Sequence, residues 1–176
     1  MTYGTAIVTG SGRGIGKETA TLLSKMGLNV VICSRTQREI DSTVKEIKEK
    51  IIATKNGADG DDRILGIKCD VSRSSEVHYL IKSTIEKFKS IHILVNNAGI
   101  VYVKKLIDTS EEEWAKTINI NLTGAFLFSK AVLSFMMKNR HGVIINVSSG
   151  AGKTGFSDLS AFICTRPSSR DFSGNN

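Results

Sequence analysis

The sequence predicts an α/β protein built on a doubly wound parallel sheet, and three observations carry that expectation. Short, continuously apolar runs rich in β-branched residues recur along the chain, as strands buried on both faces require. Stretches with helical spacing separate them, the alternation that builds βαβ units. Between the first such run and the first helical stretch lies a glycine-rich turn, Gly10-Ser11-Gly12-Arg13-Gly14-Ile15-Gly16. Right-handed crossovers then wind the helices onto both faces of one sheet.

Each element follows in order. Thr5-Ala6-Ile7-Val8-Thr9 reads as a buried strand. Residues 15–26 have helical spacing, and Gly27 stands where a glycine stops a helix. Asn29-Val30-Val31-Ile32-Cys33 is the second strand; residues 36–55 form a charged helix with Thr36 as its N-cap. Asn56 to Asp62 is rich in turn residues. Residues 63–69 form the third strand, 72–89 the third helix and 91–95 the fourth strand. Residues 110–139 form one long helix, opened by Ser110 with Glu113 three positions on, the spacing of a capping box. Val143-Ile144-Ile145-Asn146-Val147 is the fifth strand.

The 176 residues suit one domain, and nothing marks a second or a repeat. Residues 1–161 are expected to form it. After residue 160 the apolar period is lost and the only proline, Pro167, appears, so residues 162–176 read as a divergent, disordered tail. The formal charge is +7, but Lys45, Lys48 and Lys50 alternate with Glu46 and Glu49, as on a solvated helix face. No motif joins that charge, so a nucleic-acid partner is not expected. No uninterrupted apolar run approaches the ~20 residues of a membrane span, and the N-terminus does not read as a secretory signal. Cys33, Cys69 and Cys164 are odd in number and far apart, without metal or disulfide spacing. A cytoplasmic protein without a metal site is the expectation.

The glycine turn carries the first chemistry. A helix N-terminus offers free N–H groups and a positive dipole end to a pyrophosphate, and glycines let the backbone approach it. The common G-x-G-x-x-G spacing fails here, because it would need glycine at Ile15 or Lys17; G-x-x-x-G-x-G fits Gly10, Gly14 and Gly16. Three further motifs follow in order: Asp70-Val71 after the third strand, Asn96-Asn97-Ala98-Gly99 after the fourth, and Asn119-Ile120-Asn121-Leu122-Thr123-Gly124 in the long helix, with Asn121 lying 24 residues after Asn97. Together these resemble the short-chain dehydrogenase/reductase family, in its NADP-using, 3-oxoacyl reductase-like form, over residues 5–161.

The resemblance implies a Rossmann-like sheet in which Gly10, Ser11, Arg13, Gly14, Ile15, Gly16, Asn97, Ala98 and Gly99 line a dinucleotide and Asp70 and Val71 meet its adenine. The second strand ends Cys33-Ser34-Arg35, without the carboxylate that accepts from the ribose of NAD. Ser34 takes that place. Arg35, with Arg13 from the glycine turn, can pair with a 2′-phosphate, so NADP(H) is the expected cofactor.

By the same resemblance Asn121 and Ser149 are catalytic, acting on a small carbonyl or alcohol substrate, and the intact family form is a homo-oligomer. A tyrosine proton donor belongs thirteen residues after Ser149 and a lysine four further on, but those positions hold Phe162 and Arg166. Tyr3, Tyr79 and Tyr102 all lie far upstream. The family fold also continues beyond this sequence into further strands, so the chain reads as shortened at its C-terminus. A shifted reading frame, an alternative ending and a non-catalytic variant all remain open. Two functions follow: an NADP(H)-dependent oxidoreductase interconverting a ketone or 3-oxoacyl group with an alcohol, inactive in this form, or a non-catalytic nucleotide-binding fragment.

Overall fold

The structure is a computed structural model that describes residues 4–54, 61–154 and 156–165. Five strands, β1 (Thr5–Thr9), β2 (Asn29–Ser34), β3 (Ile64–Lys68), β4 (Ile93–Asn96) and β5 (Val143–Asn146), form one parallel sheet in the order β3-β2-β1-β4-β5. The helices between them are α1 (Gly14–Lys25), α2 (Gln37–Thr54), α3 (Ser74–Phe88), α4 (Glu111–Ile118) and α5 (Gly124–Asn139), and α6 (Ser160–Ile163) follows β5. The α/β doubly wound architecture expected from the alternation is the one formed, with each strand within two or three residues of its expected bounds.

The two-residue period of a strand divides the core. Ile7, Val31 and Leu94 face a layer with Val77 and Leu80 of α3 and Phe128 and Val132 of α5. Their neighbours Val8, Ile32 and Val95 face Ala20 of α1 and Ile47 of α2. Register aligns them across the sheet: Val8 pairs with both Ile32 and Val95. Continuous apolar strands arise because both faces are covered. Gly27 takes φ +93 at the end of α1, as a C-terminal glycine should, whereas α3 and α5 end on Lys89 and Arg140 in the left-handed region.

Four features add to the sequence reading or depart from it. The long helix is interrupted. A π-helical turn, Asn119–Thr123, separates α4 from α5. Behind it Gly124 packs on Val71: a Cβ at Gly124 would lie 2.8 Å from Val71 Cγ2. The capping box at Ser110 and Glu113 is formed as expected. Second, α4 through α5 (Glu111–Asn139) is long and apolar enough, by length and composition, to cross a membrane, at mean hydropathy 1.4. Polar residues between its apolar ones, among them Asn119, Asn121, Thr123 and Ser129, hide this from a search for unbroken runs. Its inner face packs on the sheet through Phe128, Val132 and Met136, as a core helix does. Third, β5 is not covered like the others: Val143 and Ile145 stand 48% and 47% exposed, and β5 has a strand neighbour on one side only among the described residues. Fourth, residues 162–165 are ordered into the fold. Phe162 and Ile163 belong to α6, and Thr165 is buried. Arg166 and the rest of the expected tail, like most of the 56–62 turn, lie outside the described residues.

Candidate cofactor-binding and catalytic site

Because every strand is parallel, the loops that follow them open along one edge of the sheet. Chain order reverses between β1 and β4, and such a switch point is where open α/β sheets bind ligands. The glycine turn follows β1 and the Asn96–Gly99 segment follows β4, so the two flank that crevice.

Thr9 ties them together. Its Oγ1 accepts from the backbone N–H groups of Asn97 and Ala98, both at 3.0 Å, and donates to Val95 O at 3.3 Å. Asn97 Nδ2 donates to Thr9 O at 2.9 Å and Gly10 O at 3.3 Å. Glycine is required where this clamp closes. Gly10 has φ +63, and a Cβ there would lie 2.8 Å from Ala98 Cα. A Cβ at Gly16 would lie 2.5 Å from Asn97 Nδ2 and 2.6 Å from Gly10 O.

Gly14 differs from both: φ is +57 and a Cβ would meet nothing within 4 Å. Bare backbone there faces open space. The first bond of α1 from the loop runs from Lys17 N to Arg13 O at 3.3 Å, so the N–H groups of Gly14, Ile15 and Gly16 precede the helical ladder. The Ile15 side chain is exposed beside them. Together these features fit the phosphate groups of a dinucleotide.

Ser11 departs from its expected role. It is fully buried, its hydroxyl donates to Val8 O at 2.6 Å and accepts from Cys33 N at 3.0 Å, and its own N–H donates to Cys33 O at 2.9 Å. Ser11 therefore prolongs the β1–β2 ladder into the loop and shapes it from within. Gly99 is exposed, and the next residue, Ile100, is held by Asn121 of the π-helical turn.

After β3, Val71 is buried against Gly124. Asp70 forms a tight turn with Ser72, accepting from its N–H at 3.0 Å and its hydroxyl at 2.7 Å. Burial alone would raise the Asp70 carboxyl, but the Ser72 bonds and the nearby charges of Arg35 and Arg73 outweigh it and hold the group below its ordinary value. Cys33 and Cys69, far apart in sequence, meet here. The hydrogen bond to Cys33 and burial push the Cys69 thiol up, so it stays protonated and inert.

At the β2 end the sequence reading missed a residue. Ser34 Oγ accepts from Thr36 N at 3.3 Å and donates to Glu39 Oε2 at 2.8 Å. Glu39 Oε1 lies 3.7 Å from Arg13 Nε. A carboxylate thus reaches the end of β2 from the first turn of α2, although the strand carries none. The signal was present: Thr36 and Glu39 have capping-box spacing, but Glu39 turns to Ser34 instead. Arg35 is exposed. An open cleft of about 610 Å³ runs between the glycine turn and α2, lined by Arg13, Lys17, Arg38 and Glu39 among others.

A second cluster, holding the two residues to which the resemblance gives catalytic roles, is assembled from the turn after β5, the π turn and α6. Ser149 caps the short 3₁₀ turn Gly150–Gly152 by accepting from Ala151 N at 3.2 Å, which leaves its own proton to donate. Helix α6 packs against that turn and against α4. It carries Phe162, half-buried, at the position where the resemblance places a tyrosine. Asn121 is buried and fully engaged. Its Nδ2 donates to Ile100 O at 2.9 Å and to Thr165 Oγ1 at 3.1 Å, and its Oδ1 accepts from Ile100 N at 2.8 Å. The side chain is a clamp on the loop after β4, which sequence reading did not foresee. Thr165 was also missed, because nothing in its own neighbourhood marks it.

Comparison with known proteins agrees with this geometry. Residues 4–173 match the short chain dehydrogenase family. The chain is 41% identical over 156 residues to a 3-oxoacyl-[acyl-carrier-protein] reductase of Synechocystis, covering 88% of this chain and 59% of that one. It is 37% identical over 161 residues to the (2S)-[(R)-hydroxy(phenyl)methyl]succinyl-CoA dehydrogenase subunit BbsD of Thauera aromatica, covering 89% and 61%. Among solved structures, an actinorhodin polyketide ketoreductase with NADPH superposes with a TM-score of 0.84 at 31% identity, covering 93% of this chain and 59% of that one. The chain thus spans about three-fifths of the length of these relatives.

Proposed function

The chain belongs to the short-chain dehydrogenase family, and from that premise we propose that it binds NADP(H) at the β1–β4 crevice and descends from reductases of ketone or 3-oxoacyl groups. The observation that carries the reading is the glycine turn. Gly10 and Gly16 lock it against Ala98 and Asn97, while Gly14 leaves bare backbone at the free end of α1. That arrangement serves an anionic ligand approaching the helix end. The NADPH named with the ketoreductase structure, the hydroxyl at Ser34 and the cations Arg13 and Arg35 support the phosphorylated cofactor.

Bound there, the nicotinamide would supply or accept hydride. The chain's own residues would do the rest. The N–H groups of Gly14, Ile15 and Gly16 would hold phosphate oxygens, and Asp70 would orient the adenine end. Ser149 would donate to the oxygen of a carbonyl substrate, and Asn121 would keep the loop from Ile100 in place. Proton transfer is the step these residues do not support. Phe162 has no proton to give, and Arg166 in the lysine position is a poor replacement for a compact ammonium. Loss of a general acid costs about 10²–10⁴ in rate, so the chain as given is proposed to bind cofactor without appreciable turnover. Self-association through the exposed β5 edge and the outer face of α5, where Phe126 and Met137 stand exposed, completes the proposal.

Calorimetry on the purified chain tests it. NADPH should bind and Arg35→Asp should weaken it selectively against NADH. Absence of binding to either cofactor, or robust NADPH oxidation with a 3-oxoacyl thioester, would refute the reading. The second reading, a fragment that binds nucleotide for another purpose, is favoured by Phe162 alone.

A further inference from the structure

We propose that Glu39 limits cofactor discrimination at this site, as an internal anion that competes with the cofactor's 2′-phosphate for Ser34 and Arg13. The inference rests on the dinucleotide-binding reading above and adds to it a side chain that no motif contains.

The geometry is specific. Ser34 Oγ, the group left where an acid is otherwise found, already donates to Glu39 Oε2 at 2.8 Å. Arg13, one of the two cations expected to meet a 2′-phosphate, lies 3.7 Å from the other carboxylate oxygen. The carboxylate does not hang in solvent. A Cβ at Gly12 would lie 2.9 Å from Glu39 Cβ, from Glu39 Oε2 and from Ser34 Cβ, so Glu39 fills the notch that the bare Gly12 backbone leaves. The glycine turn cannot easily retreat from it, because Thr43 Oγ1 donates to Gly12 O at 2.9 Å and pins the turn to α2. Glu39 also sits in the first turn of α2, where the helix dipole favours a carboxylate. Lys17 and Arg38 stand on the same walls of the cleft, as does Glu18, and Lys17 is paired with Glu46.

A phosphate needs the groups that Glu39 holds. Either the carboxylate leaves, and its bonds to Ser34 and Arg13 are given up, or it stays and two anions share one notch. Both outcomes act against the phosphorylated cofactor alone. Ribose hydroxyls can donate to a carboxylate, so NAD(H) meets no such opposition. Arg13 and Arg35 therefore favour NADP(H) while Glu39 limits by how much. Arg13 is itself 86% exposed, so its pairing is weak on its own. The Ser34 bond and the filled notch carry most of the effect.

The test compares the intact wild-type chain with Glu39→Gln and Glu39→Ala by calorimetry at one fixed salt concentration. The probes are NADPH, NADH and the fragments 2′,5′-ADP and 5′-AMP. Glutamine keeps the shape and an acceptor for Ser34 but removes the charge; alanine empties the notch and guards against a fault peculiar to glutamine. The expected result is that both variants tighten NADPH and 2′,5′-ADP by about 5- to 50-fold and change NADH and 5′-AMP by less than about twofold. Unchanged NADPH binding in both variants overturns the proposal. So does a loss of NADH affinity beyond about fivefold, which would make Glu39 a ribose ligand. In either case the dinucleotide reading stands. If neither wild type nor variant binds any of the four probes, the dinucleotide reading itself fails and this inference falls with it.

Discussion

Replacing Gly16 with alanine tests how the crevice is built. The added Cβ would stand 2.5 Å from Asn97 Nδ2 and 2.6 Å from Gly10 O, distances at which something must shift. Neither neighbour moves freely: Asn97 Nδ2 is bound to Thr9 O and Gly10 O, and Gly10 O belongs to a backbone at φ +63. Overpacking of this kind costs roughly 1–3 kcal/mol. Losing one of the Asn97 bonds adds about 1 kcal/mol. The sum, about 2–4 kcal/mol, corresponds to a fall in Tm of roughly 5–15 °C for a chain of this size. Differential scanning calorimetry of Gly16→Ala and Asn97→Ala, alone and combined, reads it. Because Asn97→Ala removes one of the two clashing atoms, the double variant should lose clearly less than the two single losses added together. A Gly16→Ala protein that melts with the wild type, or strictly additive losses, would refute the idea that Asn97 and Gly16 close one clamp.

Two further outcomes are expected. Lys17 and Lys50 both bond to Glu46 and hold its carboxyl down to about 2 against an ordinary 4.5. A depressed folded-state value stabilises the fold above the unfolded value, so the contribution is complete above about pH 4.5 and fades as pH falls toward 2. The gap in urea midpoint between wild type and Glu46→Gln should therefore narrow through that window, and a gap independent of pH would refute the pairing. Asn96 is 4% exposed and donates to Ser129 Oγ at 3.1 Å and Asn146 Oδ1 at 2.9 Å, while its own Oδ1 has no partner among the described residues. Asn96→Asp turns the donation to Asn146 Oδ1 into a repulsion, leaves only the Ser129 hydroxyl to donate in its place, and buries a charge, for a loss of about 3–5 kcal/mol at neutral pH. Chemical denaturation should show that loss easing in mild acid as the new carboxyl protonates; wild-type stability at pH 7 would show that the Asn96 bridge between β4, β5 and α5 is dispensable.

The sequence by itself determined the fold class and the parallel sheet, and it marked the segments where chemistry is proposed. Apolar runs such as Asn29-Val30-Val31-Ile32-Cys33 have one stable use, as strands covered on both faces. The spacing of Gly10, Gly14 and Gly16 announces a turn that must come close to something. These are local signals, read within a few residues of one another. The resemblance added order: the segments at Asp70, Asn97 and Ser149 lie on the loops that the topology gathers at one edge, and Asn121 of the π-helical turn is bonded to one of those loops through Ile100.

Only the tertiary structure decided which atoms of those residues are free. Ser11 looks like a loop ligand in sequence, yet the sheet takes its hydroxyl and its N–H to extend the β1–β2 ladder. Asn121 is spent on Ile100 and on Thr165, 44 residues away. Glu39 arrives at the end of β2 from another element, and Cys69 meets Cys33 across two strands. The reason is common to all four. A hydrogen bond or a filled notch depends on distances fixed by packing between segments far apart in the chain, and no pattern within one segment records which partner will be there.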